Sequence, residues 1–485
     1  AGERLTPASG PVRLTRLVKK AGCASKIDQA FLKDILSKLP AIIDDPHIIV
    51  GVPAGDDAGI YEIGDGKALV QTVDIFTPCV DDPYTFGQIA AANSLSDVYA
   101  MGGRPITSLS VIGFPARNIP DEVMTAILAG GIEKMNQAGC AVIGGHSIND
   151  QQIKAGFAVT GIIDKSRIVT NADAQPGDAL VLTKPLGTGI ICFAAQIEKA
   201  SSESIDAAAA SMTELNKTTS ELMTQFDVHA CTDVTGFGLM GHLTEMARCS
   251  GVDINVIWDD LPLLPGVLEY AAAGILPGAI ERNKESCGDR VICKDLPEQM
   301  LDICFDAQTS GGLLIALPSA KASQFVMALH RSGVQAAAVI GQATGKGKGL
   351  VHVETTGTRK IPSGIPAAKQ AAAEKTASQV PCCADAVQVG TSDTDKSGLE
   401  AVRSRFVGFL TAASTPYGMD AYTKQAIAIA LSVALRCEPC LKMHIKKAKA
   451  KGFTQQEIDE AAWMGISFAG SPAMVFYEGL RSQTS

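Results

Sequence analysis

Between residue 47 and about residue 165, short apolar runs rich in β-branched residues alternate with longer stretches in which apolar positions recur every three or four residues. Residues 68–75, 106–112, 141–143 and 156–163 read as strands, and 83–101 and 121–138 as helices. Asp82 is suited to cap the first of these helices, with Pro83 at its first position and Gly102-Gly103 at its end. Near residue 176 the pattern restarts. A strand at 178–182 leads through Lys184-Pro185-Leu186-Gly187 into helices up to about 225. A strand–loop–helix follows at 228–247, a strand at 253–258, and β-like pieces at 313–317 and 337–341. Two successive α/β blocks are predicted, with a boundary at 165–177. Upstream, 26–40 reads as a short amphipathic helix.

From residue 351 to about 398 the texture shifts to Thr, Gly, Pro, Ala, Lys and Ser, a linker composition with a short helix at 367–375. Beyond it, 424–435, 440–451 and 455–464 each carry an apolar stripe, and Gly452 would cap the second of them. The expected parts are a flexible N-terminal segment at 1–45, α/β domains at 46–170 and 171–350, a linker at 351–398 and an all-α domain at 399–485. A chain of 485 residues is too long for one core, which agrees with that division.

The chain is 46% hydrophobic and 19% charged, ordinary for a soluble globular protein. A net charge of −9 without a dense Lys/Arg block or aromatic platform argues against nucleic acid as a partner. No apolar run approaches the roughly 18 residues needed to span a bilayer, so no membrane partner is expected. Residues 1–20 lack the apolar core of a secretory signal, and the start at Ala1 instead of Met suggests processing or trimming. Thirteen cysteines, an odd number scattered mostly through apolar segments, point to a reducing cytoplasm.

Cys23 lies three residues before Lys26 in Ala21-Gly22-Cys23-Ala24-Ser25-Lys26, a segment too small-sided to bury itself. Asp56 and Asp57 follow Gly55 in a turn, Asp74 ends an apolar strand, Asn93 and Asp97 share a helix face, and Asp233 lies in Thr232-Asp233-Val234-Thr235-Gly236. Carboxylates gathered in a cleft repel one another unless cations join them, and oxygen-only ligation favours Mg²⁺ with phosphates completing its shell. Read singly, each is a surface cap or turn residue. Gly144-Gly145-His146-Ser147 follows an apolar run, where a glycine turn would let backbone N–H groups approach an anion, and His146 reads equally as a base or a structural residue. Gly236-Phe237-Gly238-Leu239-Met240-Gly241, with Asp259 about twenty residues on, matches the dinucleotide fingerprint. The crowding of Asp233 and Thr235 there favours a loop beside metal and phosphate instead.

At the far end, Cys437, Cys440 and His444 share one helix face, with Cys437 at the positive end of that helix. A redox dithiol with a proton-handling histidine is one reading. A zinc site completed by Cys382 and Cys383 is another, and inert thiols a third.

Together these segments resemble the selenophosphate synthetase (selenide, water dikinase) family of the aminoimidazole ribonucleotide synthetase-like superfamily. The resemblance covers roughly residues 12–350. It rests on Ala21 to Lys26, Gly55-Asp56-Asp57-Ala58, Gln71-Thr72-Val73-Asp74, Ala91 to Asp97 with Met101-Gly102-Gly103, Gly144 to Ser147, Thr232 to Gly238, and Gln308-Thr309-Ser310-Gly311-Gly312. It implies a two-domain α/β (α+β) fold that dimerises through its first half, and conversion of ATP, selenide and water to selenophosphate, AMP and phosphate. It implies Cys23 and Lys26 as catalytic residues and Asp57, Asp97 and Asp233 as Mg²⁺ ligands. ATP contacts would come from Lys26, Gly55, Asp56, Asp74, Asp97, Gly145, His146 and Ser147. Many relatives carry a second cysteine where this chain has Ser25. On this reading the 21–26 segment is a mobile lid that closes over the nucleotide. Residues 399–485 resemble the alkyl hydroperoxidase D / carboxymuconolactone decarboxylase-like family through Cys437, Cys440 and His444. That family often has Glu in a proton relay twelve residues before the first cysteine, where this chain has Gln425. Its members oligomerise. A dithiol module beside a selenide-consuming enzyme suggests selenium reduction or delivery, relayed by Cys382-Cys383, with a thiol reductant or selenium-delivery protein as partner. The rivals are another ATP-dependent enzyme of the same superfamily and a non-catalytic selenium carrier or redox scaffold.

Overall fold

A computed structural model describes residues 12–18, 21–26, 35, 36, 38, 45–52, 55–116, 118–362, 419–435 and 437–469. The chain divides into two compact units, Ala1–Lys369 and Gln370–Ser485.

The first half of the larger unit is a six-stranded sheet with two helices. Its strands are β1 (Ile48–Val50), β2 (Gly59–Gly64), β3 (Lys67–Phe76), β4 (Arg104–Phe114), β5 (Ala141–Asn149) and β6 (Lys154–Asp164), in the order β1-β2-β3-β6-β4-β5. Only β4 and β5 pair parallel. Helix α1 (Pro83–Ala100) begins where the sequence predicts, with the Asp82 carboxylate accepting the Thr85 N–H at 2.7 Å. It shows no single apolar stripe because it is buried nearly all round, between the sheet, α2 (Asp121–Ala138) and the second half. Along β3, Ala68, Val70, Asp74 and Phe76 are buried while Gln71, Val73 and Ile75 are open, so one face of the sheet meets the helices and the other is uncovered.

The second half holds β7 (Asp178–Leu182), α3 (Thr188–Gln196), α4 (Ser202–Thr213), α5 (Lys217–Met223), β8 (Ala230–Asp233), α6 (Gly238–Ser250) and β9 (Val252–Ile257). It continues with α7 (Val267–Ala272), α8 (Ala279–Cys287), β10 (Val291–Cys293), α9 (Glu298–Asp302), β11 (Leu313–Pro318), α10 (Ser319–Arg331), β12 (Ala338–Lys346) and β13 (Val351–Glu354). The sheet order is β10-β13-β9-β12-β7-β11-β8. The stretch from residue 351, expected as linker, therefore opens with a strand, which pairs parallel to β9 and β10. Composition alone missed it because Val351 and Val353 supply only two buried apolar side chains. One apolar core runs through both halves, from Leu14 and Cys23 to Trp258 and Val353. Side-chain bonds across the halves hold α1 in place: Asn216 Nδ2 donates to Ser96 Oγ at 2.9 Å, and Ser220 Oγ to the Tyr99 carbonyl at 2.8 Å.

The smaller unit is helical over its described residues: α11 (Ala421–Ala434), α12 (Glu438–Ala450) and α13 (Gln455–Ala469). They enclose a core of Ile429, Val433, Leu441, Ile445, Ile458 and Ile466. The 367–375 helix and Cys382-Cys383 lie outside the described residues, as does most of the 26–40 helix. No helix among the described residues is long and apolar enough to cross a membrane.

Candidate active site

Three elements aim carboxylates at one point. Asp57 stands in the turn before β2, Asp97 on α1, and Asp233 at the end of β8, each with an oxygen within 4.8 Å of the others. Thr232 Oγ1 donates to Asp57 Oδ1 at 2.9 Å, and Thr72 Oγ1 to Asp97 Oδ2 at 2.5 Å. The second oxygens of Asp57 and Asp233 are buried without any hydrogen-bond partner. Burial, then repulsion from Asp233, raises Asp57 and Asp97 well above the usual carboxylate range, and burial pushes Asp233 up to about 6. Three such groups do not ionise together without a cation among them. Two orphaned oxygens in an all-oxygen cluster fit a hard divalent ion.

The carboxylates line a cavity of about 460 Å³ with Lys26, Gly55, Asp56, Asp74, Phe237 and His242. Lys26 Nζ donates to Asp74 Oδ2 at 2.6 Å, and Asn93 Nδ2 donates to the same oxygen at 2.5 Å. Burial opposes the Lys26 ammonium, yet Cys23 and Asp74 together raise its pKa above the ordinary lysine value. Asn93 Oδ1 in turn accepts the Ser310 N–H at 2.8 Å and faces the Cys23 thiol at 3.6 Å. Asp56 accepts the N–H groups of Asp57 and Asn171, which shapes its turn. Burial keeps His242 neutral, with Lys26 adding to the effect, down to about 4, and its Nε2 accepts the Thr235 N–H.

Cys23 departs from the expectation of a loose segment. It is 2% exposed. The Gly22 N–H bonds the Thr77 carbonyl at 3.0 Å, and the Arg282 guanidinium reaches the Ala24 carbonyl at 2.9 Å. The Cys23 N–H donates to Thr309 Oγ1 at 3.1 Å. Gly22 sits at φ +57°, and a Cβ there would come within 2.4 Å of Thr309 Oγ1. Small side chains thus let this segment pack against others instead of leaving it free. Burial, with Asp74 adding and Lys26 opposing, pushes the Cys23 thiol up to about 12. Burial thus favours the thiol over the thiolate.

The anchor for Cys23 comes from residues that carry no role in the reading of the sequence. Thr309 N–H donates to Thr188 Oγ1 at 3.0 Å, and Gln308 Oε1 accepts from the N–H groups of Gly187 and Thr188. Ser310, in the left-handed region at φ 49°, is held by Asn93 and by Lys184 Nζ on its carbonyl at 2.9 Å. The Gln308 to Gly312 motif was visible, but not what it touches.

Two expectations change. Gly144 to Ser147 form no anion-holding turn: they continue β5, paired with Leu109 to Ile112 of β4. The glycines fit because a Cβ on Gly145 would meet Ser110 Oγ at 2.1 Å. Gly145, His146 and Ser147 accordingly stand outside the aspartate cavity of their own chain. The dinucleotide alternative also falls. Among the described residues β8 pairs only with antiparallel β11, so they form no parallel βαβ unit there, and Asp259 accepts from Thr355, Thr356 and Arg359 instead of facing a ribose. Gly236 to Gly241, the entry and first turn of α6, border the aspartate cavity through Phe237 and Gly241.

In the smaller unit Cys437 and Cys440 are joined to each other as a disulfide. Cys437 is the residue capping α12, and His444 lies one turn beyond Cys440. Burial, then Lys447, lowers the His444 pKa.

Residues 55–163 match the AIR synthase related protein N-terminal domain, 175–354 its C-terminal domain, and 400–477 the carboxymuconolactone decarboxylase family. The chain is 46% identical over 332 residues to a protein named selenide, water dikinase of Pelobacter propionicus, covering 68% of this chain and 95% of the relative. It is 47% identical over 330 residues to the one of Geobacter metallireducens, covering 68% and 96%. With the one of Caldanaerobacter subterraneus it shares 44% over 342 residues, covering 70% and 98%. Among solved structures, a chain of a HypE–HypF complex aligns with a TM-score of 0.50 at 18% identity, over 69% of this chain and 99% of the other, a likeness of fold alone.

Proposed function

The chain belongs to the selenide, water dikinase family, and from that premise we propose that its aspartate cavity is where ATP, selenide and water become selenophosphate, AMP and phosphate. The observation that carries the assignment is the convergence of Asp57, Asp97 and Asp233, two of whose buried oxygens have no protein partner. Those three would hold Mg²⁺, which when bound supplies charge neutralisation for the triphosphate. Lys26, kept charged against Asp74, is the cation suited to selenide or to a phosphate oxygen. Asn93 ties Asp74 to the Cys23 segment, which carries Lys26 at the cavity wall. Cys23, a buried thiol, suits holding a polarizable selenium atom better than attacking carbon. Gly55 and Asp56 border the same cavity, which supports their assignment to nucleotide contact.

Anaerobic ATP turnover with and without selenide tests this. AMP release that depends on selenide is expected, with a loss of about 100-fold or more in Lys26→Ala. A Lys26→Ala variant with normal rates would remove that residue from the assignment. Selenide-independent ADP release alone would favour another kinase of the superfamily, and no turnover a carrier.

The unit is also proposed to form a homodimer through the uncovered face of the first sheet, where Tyr61, Val73, Ile75, Leu109 and Ile148 are 39–62% exposed. Gly145, His146 and Ser147 belong to the strand at that edge, so their ATP contacts would be made across such an interface. Nine free cysteines among the described residues support a reducing cytoplasmic setting.

The Cys437–Cys440 disulfide supports a second role, reduction or delivery of selenium to the synthetase with thiols as electron donor. Selenophosphate yield from selenite plus thiols should fall in Cys437→Ser/Cys440→Ser. Equal yields would remove this role.

A further inference from the structure

In the C-terminal unit an amide from one helix meets a histidine on the next. Gln425 on α11 is 7% exposed. Its Nε2 lies 2.8 Å from the His444 carbonyl oxygen and 3.1 Å from His444 Nδ1. A carbonyl oxygen only accepts, so the amide nitrogen must face it; turning the amide over would press two oxygens together. With one amide hydrogen on the carbonyl, the other is directed at Nδ1. That nitrogen must then be the bare one, and in a neutral imidazole the proton sits on Nε2. Burial favours the neutral ring, and Lys447 adds to this.

We propose that Gln425 is a positioning residue that locks His444 as its Nε2–H tautomer, so that His444 serves the sulfur of Cys440 as a hydrogen-bond donor and not as a base. The proposal rests on the reading of Cys437–Cys440 as a working redox pair. Cys440 lies four residues before His444 on α12, the spacing that brings two side chains together on one helix face. A neutral imidazole N–H is too weak an acid to give up its proton to sulfur, but it stabilises a thiolate by a charge-assisted hydrogen bond.

The step this favours is opening of the disulfide by a dithiol. One thiolate of the dithiol attacks Cys437 Sγ. A bond forms between those two sulfurs, the Cys437–Cys440 bond breaks, and Cys440 leaves as a thiolate that accepts the Nε2–H. The dithiol's second sulfur, deprotonated by solvent, then displaces Cys437. The dithiol ends as a disulfide, the protein pair gains two electrons, and solvent protons complete both thiols. A glutamate at position 425 would do the opposite. With its carboxylate turned away from the His444 carbonyl, it would accept from Nδ1–H and leave the Nε2 of the neutral ring bare, with nothing to donate to the departing sulfur.

The test uses the full chain with its histidine rings labelled with ¹⁵N, the His444 signals being assigned by their loss in His444→Gln. Nitrogen shifts of the parent at neutral pH should show Nε2 protonated and Nδ1 bare. Gln425→Glu should reverse them and slow opening of the disulfide by dithiothreitol about tenfold, the scale of one charge-assisted hydrogen bond. Gln425→Met should give mixed tautomers and an intermediate rate. A protonated Nδ1 in the parent, which needs no change at position 425, would overturn the proposal while leaving the redox reading intact. Reversed tautomers with unchanged opening rates would overturn the role at Cys440. A disulfide inert to dithiothreitol in the parent would defeat the redox reading and this proposal with it.

Discussion

A thiol with the burial of Cys23 takes its position from its neighbours, and the one that grips its backbone is Thr309. Thr309→Val keeps the shape but leaves the Cys23 N–H buried without an acceptor, a cost of about 1–3 kcal/mol concentrated on this segment. We expect the selenide-dependent rate to fall about tenfold or more while the KM for ATP stays near the parent value, and Thr309→Ser to restore the rate. A valine variant with normal kcat would mean that the segment is held elsewhere. The charged members of the site were legible in the sequence only in combination, since each aspartate read singly is a cap or turn residue. Thr309 announces nothing, since a neutral hydroxyl gains its role from a partner 286 residues away. The acidity of Cys23 was hidden for the same reason. Small neighbours in sequence suggested exposure, whereas the burial that pushes its thiol up to about 12 comes from distant segments.

Helix α1 is the element on which the site depends, since Asn93 and Asp97 are both carried on it. It lies unusually close to α2, with glycines on both sides of the contact. A Cβ on Gly130 would come within 2.0 Å of the Tyr84 carbonyl, and one on Gly87 within 1.9 Å of the Ile127 carbonyl. Gly130→Ala must therefore part the two backbones, not merely shift a side chain. Such overpacking costs about 1–3 kcal/mol. It should also raise the Mg²⁺ concentration needed for half-maximal AMP release, because Asp97 moves with the helix. A lower melting temperature with unchanged Mg²⁺ dependence would show that the helix slides without disturbing its carboxylate. The bounds of α1 were legible to within a residue because Asp82, Pro83 and Gly102 are local signals. Those of β5 were not. After the apolar run at 141–143, Gly144-Gly145 looks like a turn, and only the presence of β4 alongside explains why the strand continues. A parallel partner leaves no mark in the sequence of the strand it supports.

At the scale of the whole molecule, two α/β halves and a helical C-terminal part could be read from periodicity. Which surfaces the halves would leave open could not, because alternation along a strand does not say which face finds a partner. The structure supplies that. In the first sheet Leu109 and Ile148 stand on the face opposite α1 and α2, 44% and 51% exposed, and neither borders the aspartate cavity. Exposed apolar side chains gathered on one sheet face mark an interaction surface, which supports the proposed dimer. A second copy covering it by two-fold symmetry would bring the same patch against itself, so two charges introduced per chain are met by the same two from the partner. Leu109→Glu/Ile148→Glu should therefore turn a dimer into a monomer by sedimentation analysis, with the melting temperature of the isolated fold little changed. If Gly145, His146 and Ser147 contact ATP across that interface, the monomer should also need much more ATP for half-maximal turnover, although Asp57, Asp97 and Asp233 are intact. A double variant that stayed dimeric would locate the interface elsewhere, and a monomer with an unchanged requirement for ATP would confine the nucleotide site to one chain.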